Sequence, residues 1–529
     1  MLPALLAGLF LVLGLCIVPL VGLQNDEVLF AAGIYAPTAT KFAIKTTDRE
    51  YPIMLMSYLG ATKMWLYRYL FRAWKPSVYS VRVPVLLCGA ATVWLLFLWA
   101  QSSFGRPAAW FASALLTTDA TFILTTCLDW GPVALQHLLA LAGVWCLWRF
   151  YNRRGLWHVF AGWFLFGLAL WDKAVFIWLL GGLGLATLLV FPRQLFRLLS
   201  WRAAACAIVG FLLGAAPLGY YNLEEGWKTF SGNTRLSAEG ISQKLLVARK
   251  SLEGGALFGY IVRDNPDGHS REPRGAVEHA SVALSQAAGS PRAGLLATAL
   301  VLSLLLLPFT RAGTYRKGLL WVLITGGITH LQMLFTAGAG EGTHHVALLW
   351  PLPHLFVAAT VAGVAQRSRK LGAGLLVAGA VVLCTANALL LNEYLARAIR
   401  HGPTTIWTDA ASPLARFLEE SRPEAVFVND WGIFNVLRVL GRGRLPLLLG
   451  SDPFMDDDIS PDDQRLIDLM FSSPRYVFVT HTEGNEVFTG VDARFTRAAA
   501  ARGLRKNLLA VIRDSHQRPI FQVFRLEAL

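Results

Sequence analysis

The sequence has few charged residues for its length. Asp, Glu, Lys and Arg make up 16% of 529 residues, whereas a soluble domain has about 25%. Hydrophobic residues make up 55%, which excludes an ordinary soluble enzyme. Basic residues, 48 in number, exceed the 34 acidic ones. In so apolar a chain this surplus indicates cytoplasmic loops and lipid headgroup contacts, not nucleic-acid binding.

Several common site signatures are also missing. Six cysteines show no C-x-x-C spacing, so neither a disulfide framework nor a zinc site is indicated. Gly441 and Gly443 (GRG) lack the spacing of a dinucleotide-binding loop, and the acidic run 456–463 lacks the alternating ligands of a calcium loop. The first apolar run lacks a basic n-region, which favours a retained helix over a cleaved signal peptide.

Eleven apolar runs approach the roughly 20 residues that a bilayer span needs. They lie at 3–22, 80–99, 107–124, 131–149, 157–171, 174–191, 204–221, 293–309, 318–337, 345–365 and 371–391. With the amino terminus in the cytoplasm, the loops predicted inside hold thirteen cations and no acid. These cations are Arg106, Arg149, Arg153, Arg154, Arg193, Arg197, Arg202, Arg311, Arg316, Lys317, Arg367, Arg369 and Lys370. This alternation follows the positive-inside rule and places the carboxyl terminus outside the cytoplasmic membrane.

The predicted fold is therefore an all-α polytopic membrane domain, residues 1–392, followed by a small extracytoplasmic α/β domain, residues 403–529. The outer loop 23–79 contains Tyr51–Trp74, whose aromatic and basic residues predict a helix lying in the membrane interface. Its cations would hold an anionic lipid headgroup or simply contact phospholipids. A second outer loop, 222–291, is polar and has no assignable fold. In the carboxyl-terminal part, runs at 425–430, 475–481 and 519–526 predict strands, and 412–421 and 464–472 predict helices.

The ionisable residues at helix ends collect on the predicted outer face. They are Asp26, Glu27, Asp129, Asp172, Lys173, Glu341, His344 and His345. We find no convincing ionisable residue inside the spans and no internal repeat, both of which a secondary transporter is expected to have. An outward-facing interfacial active site is the better interpretation.

Seven segments, in order along the chain, resemble the GT-C glycosyltransferases of the protein O-mannosyltransferase and aminoarabinose transferase type. They are LQNDEVLFAAG (23–33), REYPIMLMSYLG (49–60), SVRVPVLLCG (80–89), CLDWGPVALQHLLALAG (127–143), GLALWDKAVF (167–176), PLGYYNLEEGW (217–227) and HHVALLWPLPHL (344–355). The chain departs from the family pattern at Glu50 and Tyr51 before a single Pro52, at Asp172, and at His344 and His345.

The resemblance implies transfer of a sugar, with inversion, from a polyprenyl phosphate to a hydroxyl of a protein, lipid or glycan. Asp26 matches the catalytic base, which must take the proton of the acceptor hydroxyl. Glu27 would point about 100° away on a helix and support a neighbouring loop. Asp129 would bind the acceptor or order the site. The alternative for Asp26 and Glu27, and for Asp129 before Pro132, is capping of a helix.

Positive charge is needed where the phosphate leaves. Lys173, Lys63 and Arg49 are the candidate phosphate ligands, and surface or snorkelling side chains are the alternative. His344 or His345 would bond the phosphate or cap a helix. Glu341 with His344, at i and i+3, is a candidate site for a divalent metal. The competing functions are a catalytically inactive membrane subunit or scaffold and a lipid or solute transporter.

Overall fold

The computed structural model describes residues 1–264, 269–366 and 369–529. Arg367, predicted in an inner loop, and residues 265–268 of the second outer loop lie outside the described residues, as do the side chains of Arg369 and Lys370. A helix lies at each of the eleven predicted span positions. Apolar runs favour helices in a bilayer because a helix satisfies every backbone hydrogen bond internally.

The amino-terminal part holds one long apolar helix and a small sheet. Its elements are α1 (Leu2–Ile17), α2 (Phe30–Tyr35), β1 (Phe42–Lys45), β2 (Glu50–Met56), β3 (Leu59–Gly60) and α3 (Thr62–Ala73). The three strands form an antiparallel sheet in the order β1-β2-β3. The predicted interfacial helix 51–74 is therefore wrong in its first half, which is strand β2. Tyr51 precedes Pro52, and a residue before proline is driven out of the helical region towards extended backbone.

Most of the middle of the chain is helical. The elements are α4 (Val78–Phe104), α5 (Arg106–Thr118), α6 (Ala120–Leu128), α7 (Ala134–Arg153), α8 (Leu156–Asp172), α9 (Phe176–Val190), α10 (Pro192–Leu198), α11 (Trp201–Glu224), α12 (Lys228–Asn233), α13 (Ile241–Leu252), α14 (Gly275–Ala287), α15 (Leu296–Leu306), α16 (Thr314–Leu334), α17 (Thr343–Val346), α18 (Leu352–Ala365) and α19 (Arg369–His401). Helices α12 to α14 lie in the second outer loop, to which the sequence assigned no fold.

By length and apolar composition, four helices of the described residues are able to cross a membrane, or up to seven if each bent helix pair is one span. The bent pairs are α5 with α6, α9 with α10, and the 343–349 segment with α18. Helix α11 also exposes the apolar residues Ile208, Leu212 and Leu213, as a lipid-facing surface would. The chain is an integral membrane protein.

Close packing of α8 against α11 depends on small residues. A Cβ at Gly210 would lie 2.5 Å from the carbonyl oxygen of Phe160, and one at Gly214 would lie 2.2 Å from that of Phe164. On the other helix, a Cβ at Gly167 would lie 2.3 Å from the Phe211 oxygen. The two backbones approach this closely only because these three positions lack side chains.

The carboxyl-terminal segment forms a mixed five-stranded sheet with helices. Its elements are α20 (Ala411–Ser421), β4 (Val426–Val428), α21 (Phe434–Leu440), β5 (Leu447–Leu449), α22 (Pro461–Met470), β6 (Val477–His481), α23 (Val491–Ala500), β7 (Leu504–Arg513) and β8 (Pro519–Ala528). The sheet order is β5-β4-β6-β8-β7, with β5, β4 and β6 parallel and β8 antiparallel to both neighbours. The runs predicted as strands lie on β4, β6 and β8, and those predicted as helices on α20 and α22.

Candidate active site

The loop that carries Asp26 and Glu27 is held by a buried arginine of α4. Arg82 Nε donates to Glu27 Oε1 at 2.7 Å and Nη2 donates to Oε2 at 2.9 Å. The remaining guanidinium hydrogens go to the carbonyls of Val18, Val21 and Gly22, at 3.0, 2.6 and 2.6 Å. Because Arg82 and Glu27 are both buried, their pairing fixes the exit of the first helix.

Asp26 is half-buried and has a different environment. Its carboxylate accepts hydrogen bonds from Asn25 Nδ2 at 3.3 Å and, at the outer limit of bonding, from Gln24 Nε2 at 3.5 Å. Within the described part of the chain no cation lies at ion-pair distance from it. Burial raises the pKa of Asp26, while the two amides and the charge of Lys173 lower it. A carboxylate held this way remains available to accept a proton.

The alternative role for this acid pair, capping a helix, is not what the structure shows. Residues 25–29 form turns, α2 begins at Phe30, and no side chain caps the amino terminus of that helix. Instead, Gln24 Oε1 accepts the backbone N–H groups of Asp26 and Glu27, at 2.7 and 3.2 Å. The side chains of Asp26 and Glu27 reach different partners because this turn separates them. The 100° separation expected on a helix does not apply, since the segment is not helical.

Asp129 bonds to two separate parts of the fold, and its role toward an acceptor stays a prediction. Its Oδ1 accepts the backbone N–H groups of Val133 and Ala134, each at 3.0 Å, at the start of α7. Its Oδ2 accepts from Lys63 Nζ at 2.7 Å, and both side chains are buried. Lys63 also donates to the Glu27 carbonyl at 3.0 Å. Lys63 was predicted to be a phosphate ligand. In the structure its ammonium joins α3 to the Asp129 carboxylate and to the backbone carbonyl of Glu27.

Lys173 lies in the connection between α8 and α9, beside three acids. Its Nζ donates to the Gly131 carbonyl, and its own carbonyl accepts from Gln136 Nε2 at 3.1 Å. Burial lowers the pKa of Lys173 to about 8, against the opposing charges of Asp172, Asp129 and Asp26. Among the described residues, no carboxylate lies at ion-pair distance from this ammonium. Its charge is therefore not neutralised by a direct partner.

Aromatic rings line the same region. The Trp130 ring lies 4.3 Å from both the Tyr260 and the His344 rings, measured between centroids, and His345 lies 4.2 Å from His344. Burial and the negative charge of Asp26 raise the pKa values of Tyr58 and Tyr260. Both tyrosines therefore lie near the candidate base. These two tyrosines were not identified from the sequence, because neither belongs to a recognisable sequence motif.

Two predicted site residues have exposed side chains. Arg49 is exposed at the turn between β1 and β2, and Glu341 is exposed before α17. In residues 1–264, 269–366 and 369–529, no group of three or more His, Cys, Asp or Glu side chains is placed to hold a metal. The metal site of Glu341 with His344 stays a prediction, as does the phosphate role of Arg49.

The expectation that the predicted spans hold no convincing ionisable residue is wrong. Asp119 lies at the break between α5 and α6, and its Oδ2 is 3.3 Å from Nε2 of His354 in α18. Asp119 Oδ1 also accepts from Trp350 Nε1 at 3.0 Å and from the Phe122 N–H at 2.6 Å. The pair was missed because each residue stands alone in an apolar run, 235 positions from its partner.

The fold resembles those of proteins of known structure. The crystal structure of ArnT from Cupriavidus metallidurans bound to undecaprenyl phosphate matches with a TM-score of 0.58 and 15% identity, over 98% of this chain and 97% of that one. The chain has the GT-C glycosyltransferase fold. No family model and no curated protein matches it.

Two further GT-C proteins align with it. Mycobacterial arabinofuranosyltransferase AftD matches with a TM-score of 0.50 and 15% identity, over all of this chain and 40% of its own. The Archaeoglobus fulgidus oligosaccharyltransferase matches with a TM-score of 0.50 and 12% identity, over 90% of this chain and 69% of its own. At these identities the likeness concerns the GT-C fold alone.

Proposed function

We propose that this protein is an inverting glycosyltransferase that moves a sugar from a polyprenyl phosphate to a hydroxyl of a protein, lipid or glycan. The observation that carries the proposal is the state of Asp26. Of the four acids in the cluster, Glu27 and Asp129 are ion-paired and Asp172 is bonded to Thr62. Among the residues that the structure describes, the Asp26 carboxylate accepts hydrogen bonds only from neutral amides, and it lies near the ammonium of Lys173.

This arrangement suits the chemistry at both ends of the transfer. The acceptor oxygen forms a bond to the anomeric carbon while its proton passes to the Asp26 carboxylate. The bond from the anomeric carbon to the phosphate oxygen breaks on the opposite face, and the phosphate leaves with the added negative charge. Lys173 stabilises that charge. Glu27 with Arg82, and Asp129 with Lys63, hold the surrounding segments in place.

The membrane placement belongs to the same proposal. We expect eleven spans, a cytoplasmic amino terminus, and a carboxyl-terminal domain beyond the outer face of the cytoplasmic membrane. Support comes from the helices found at all eleven predicted positions and from the alternation of basic loops. ArnT, with the same fold, was crystallised with undecaprenyl phosphate, which supports a donor of that lipid class here.

A transporter is the second candidate, favoured by one observation. Asp119 and His354 form a buried pair at two helix breaks, and ionisable groups at broken helices mark ion or substrate sites in transporters. Solute uptake into proteoliposomes that is lost in Asp119→Asn would support this function.

The test of the transferase uses purified protein and its copurified lipids, identified by mass spectrometry. We expect a polyprenyl phosphate or its sugar conjugate, and sugar transfer that falls at least about 100-fold in Asp26→Asn, since removal of a general base costs this much or more. Asp48→Asn is the matched control because Asp48 is exposed at the β1–β2 turn.

Two results would count against the proposal. Normal transfer by Asp26→Asn would exclude this residue as the base. Absence of any bound prenyl phosphate, together with no transfer by the wild type, would favour the inactive subunit instead.

A further inference from the structure

Helix α21 of the carboxyl-terminal segment packs directly on the loop that carries the candidate base. Val436 and Val439 belong to the same buried cluster as Leu23, Val28 and Phe30. The approach is reinforced where the Gly22 N–H donates to the Trp407 carbonyl at 2.8 Å. The carboxyl-terminal segment is therefore close enough to the site to act on Asp26.

A continuous chain of hydrogen bonds runs from α21 to Asp26. Arg438 Nη1 donates to Asn435 Oδ1 at 3.1 Å, and Asn435 Nδ2 donates to Asn25 Oδ1 at 3.0 Å. Asn25 Nδ2 then donates to Asp26 Oδ1 at 3.3 Å. The chain joins positions 410 residues apart in the sequence.

The direction of this chain follows from chemistry. A guanidinium only donates hydrogen bonds and an ionised carboxylate only accepts them. Arg438 therefore requires the oxygen of the Asn435 amide, which leaves its NH₂ group for Asn25. In the same way Asn25 presents its oxygen to Asn435 and its NH₂ group to Asp26. Each bond thus fixes the orientation of the next amide, and bonds aligned in this way strengthen one another.

We propose that Asn435 and Arg438 are positioning residues for the transfer reaction, through which the carboxyl-terminal segment orients Asp26 and favours its ionised form. This inference rests on the proposed function of Asp26. A donor to the ionised carboxylate lowers the pH at which it becomes a base. The other groups near Asp26 are Lys173 from the α8–α9 connection, Tyr58 from the β2–β3 turn and Tyr260 from the second outer loop.

The decisive variant is Asn435→Asp. The new side chain has nearly the same shape and still accepts from Arg438, but once ionised it has no hydrogen to donate to Asn25. The Asn25 amide is then expected to turn its NH₂ group towards α21 and leave Asp26 without that donor. Asn507→Asp is the matched control, because Asn507 is exposed on β7 and bonded to Glu527.

Two measurements separate the inference from the function on which it rests. The first is kcat/KM for sugar transfer as a function of pH. We expect the acid limb to move up by about one pH unit in Asn435→Asp, and kcat/KM below the limb to fall about tenfold. Asn507→Asp should leave the profile unchanged. The second is hydrogen–deuterium exchange of residues 23–30, read by mass spectrometry, which should quicken in Asn435→Asp without substrate.

The outcomes are distinct. An unshifted acid limb in Asn435→Asp, with transfer still dependent on Asp26, would overturn the inference and leave the function standing. Unchanged exchange of residues 23–30 would overturn it also. If the wild type transfers no sugar, the proposed function is refuted. Quicker exchange in Asn435→Asp would then still show the structural link, but the catalytic part of the inference would fall with the function. Arg438→Lys, which keeps a charged donor, should lie between the wild type and Asn435→Asp in both measurements.

Discussion

The replacement Arg82→Met tests how the acid loop is held. Arg82 donates five hydrogen bonds, two to Glu27 and three to the carbonyls of Val18, Val21 and Gly22. A guanidinium has five N–H groups, so every donor is used. Methionine keeps an apolar chain in α4 but removes all five donors. The variant therefore leaves one buried carboxylate and three carbonyl groups without these partners.

The magnitude follows from these contacts. Removing one partner of a buried ion pair costs about 3–5 kcal/mol. Each buried carbonyl that loses its donor costs about 1 kcal/mol or more. Because the charge and the carbonyl groups share one region, the contributions overlap, and we expect a loss of at least about 4 kcal/mol in the free energy of unfolding.

The assay is equilibrium unfolding in mixed detergent micelles, followed by tryptophan fluorescence. Arg444→Met is the control, since Arg444 pairs with Glu419 on the surface and such pairs contribute at most about 1 kcal/mol. Adding Glu27→Gln to Arg82→Met should recover part of the loss, because the unpaired charge is then removed. A loss below about 1 kcal/mol in Arg82→Met would refute the structural role given to this pair.

Two further predictions concern Lys173 and Gly131. The rate of transfer should rise with pH as Asp26 loses its proton and fall above pH about 8, as Lys173 loses the charge that stabilises the phosphate. Lys173→Arg should remove the alkaline limb because arginine stays charged, and an unchanged limb would exclude Lys173 as its source. Gly131→Ala should lower the unfolding free energy by more than Gly226→Ala. Both glycines have positive φ, 70° and 65°, but only at Gly131 would a Cβ meet a neighbour, His344, at 2.5 Å. Equal losses in the two variants would contradict this prediction.

Local sequence patterns were enough to predict much of the fold. Apolar runs of about 20 residues specify helices by themselves, since lipid offers no other hydrogen-bond partner to the backbone. The β-branched and aromatic run of β6 was likewise visible in the sequence, and every residue of that strand is buried. The helical pattern over 412–421 was also visible, and Leu414, Ala415 and Leu418 of α20 are buried. The helix predicted from residue 51 begins only at Thr62, because Pro52 favours extended backbone at the residue before it.

The candidate site was only partly visible. The sequence identified Asp26, Glu27, Asp129, Lys173 and the adjacent histidines, because charges beside apolar runs are conspicuous. It did not reveal that Lys63 binds Asp129 or that Arg82 binds Glu27, which lie 66 and 55 positions apart. Arg82 lies near the start of the apolar helix α4, and no residue close to it in sequence indicates that Glu27 is its partner.

The sequence by itself thus determined the apolar helices, most of the carboxyl-terminal strands and which acids lie at helix ends. Only the tertiary structure decided which of those acids are held in ion pairs. That depends on which cations and amides reach each carboxylate through space, from Arg82 to Glu27, from Lys63 to Asp129, and from Asn435 through Asn25 to Asp26. Hydropathy and periodicity record the preferences of neighbouring residues, whereas these pairings are set by the packing of distant segments.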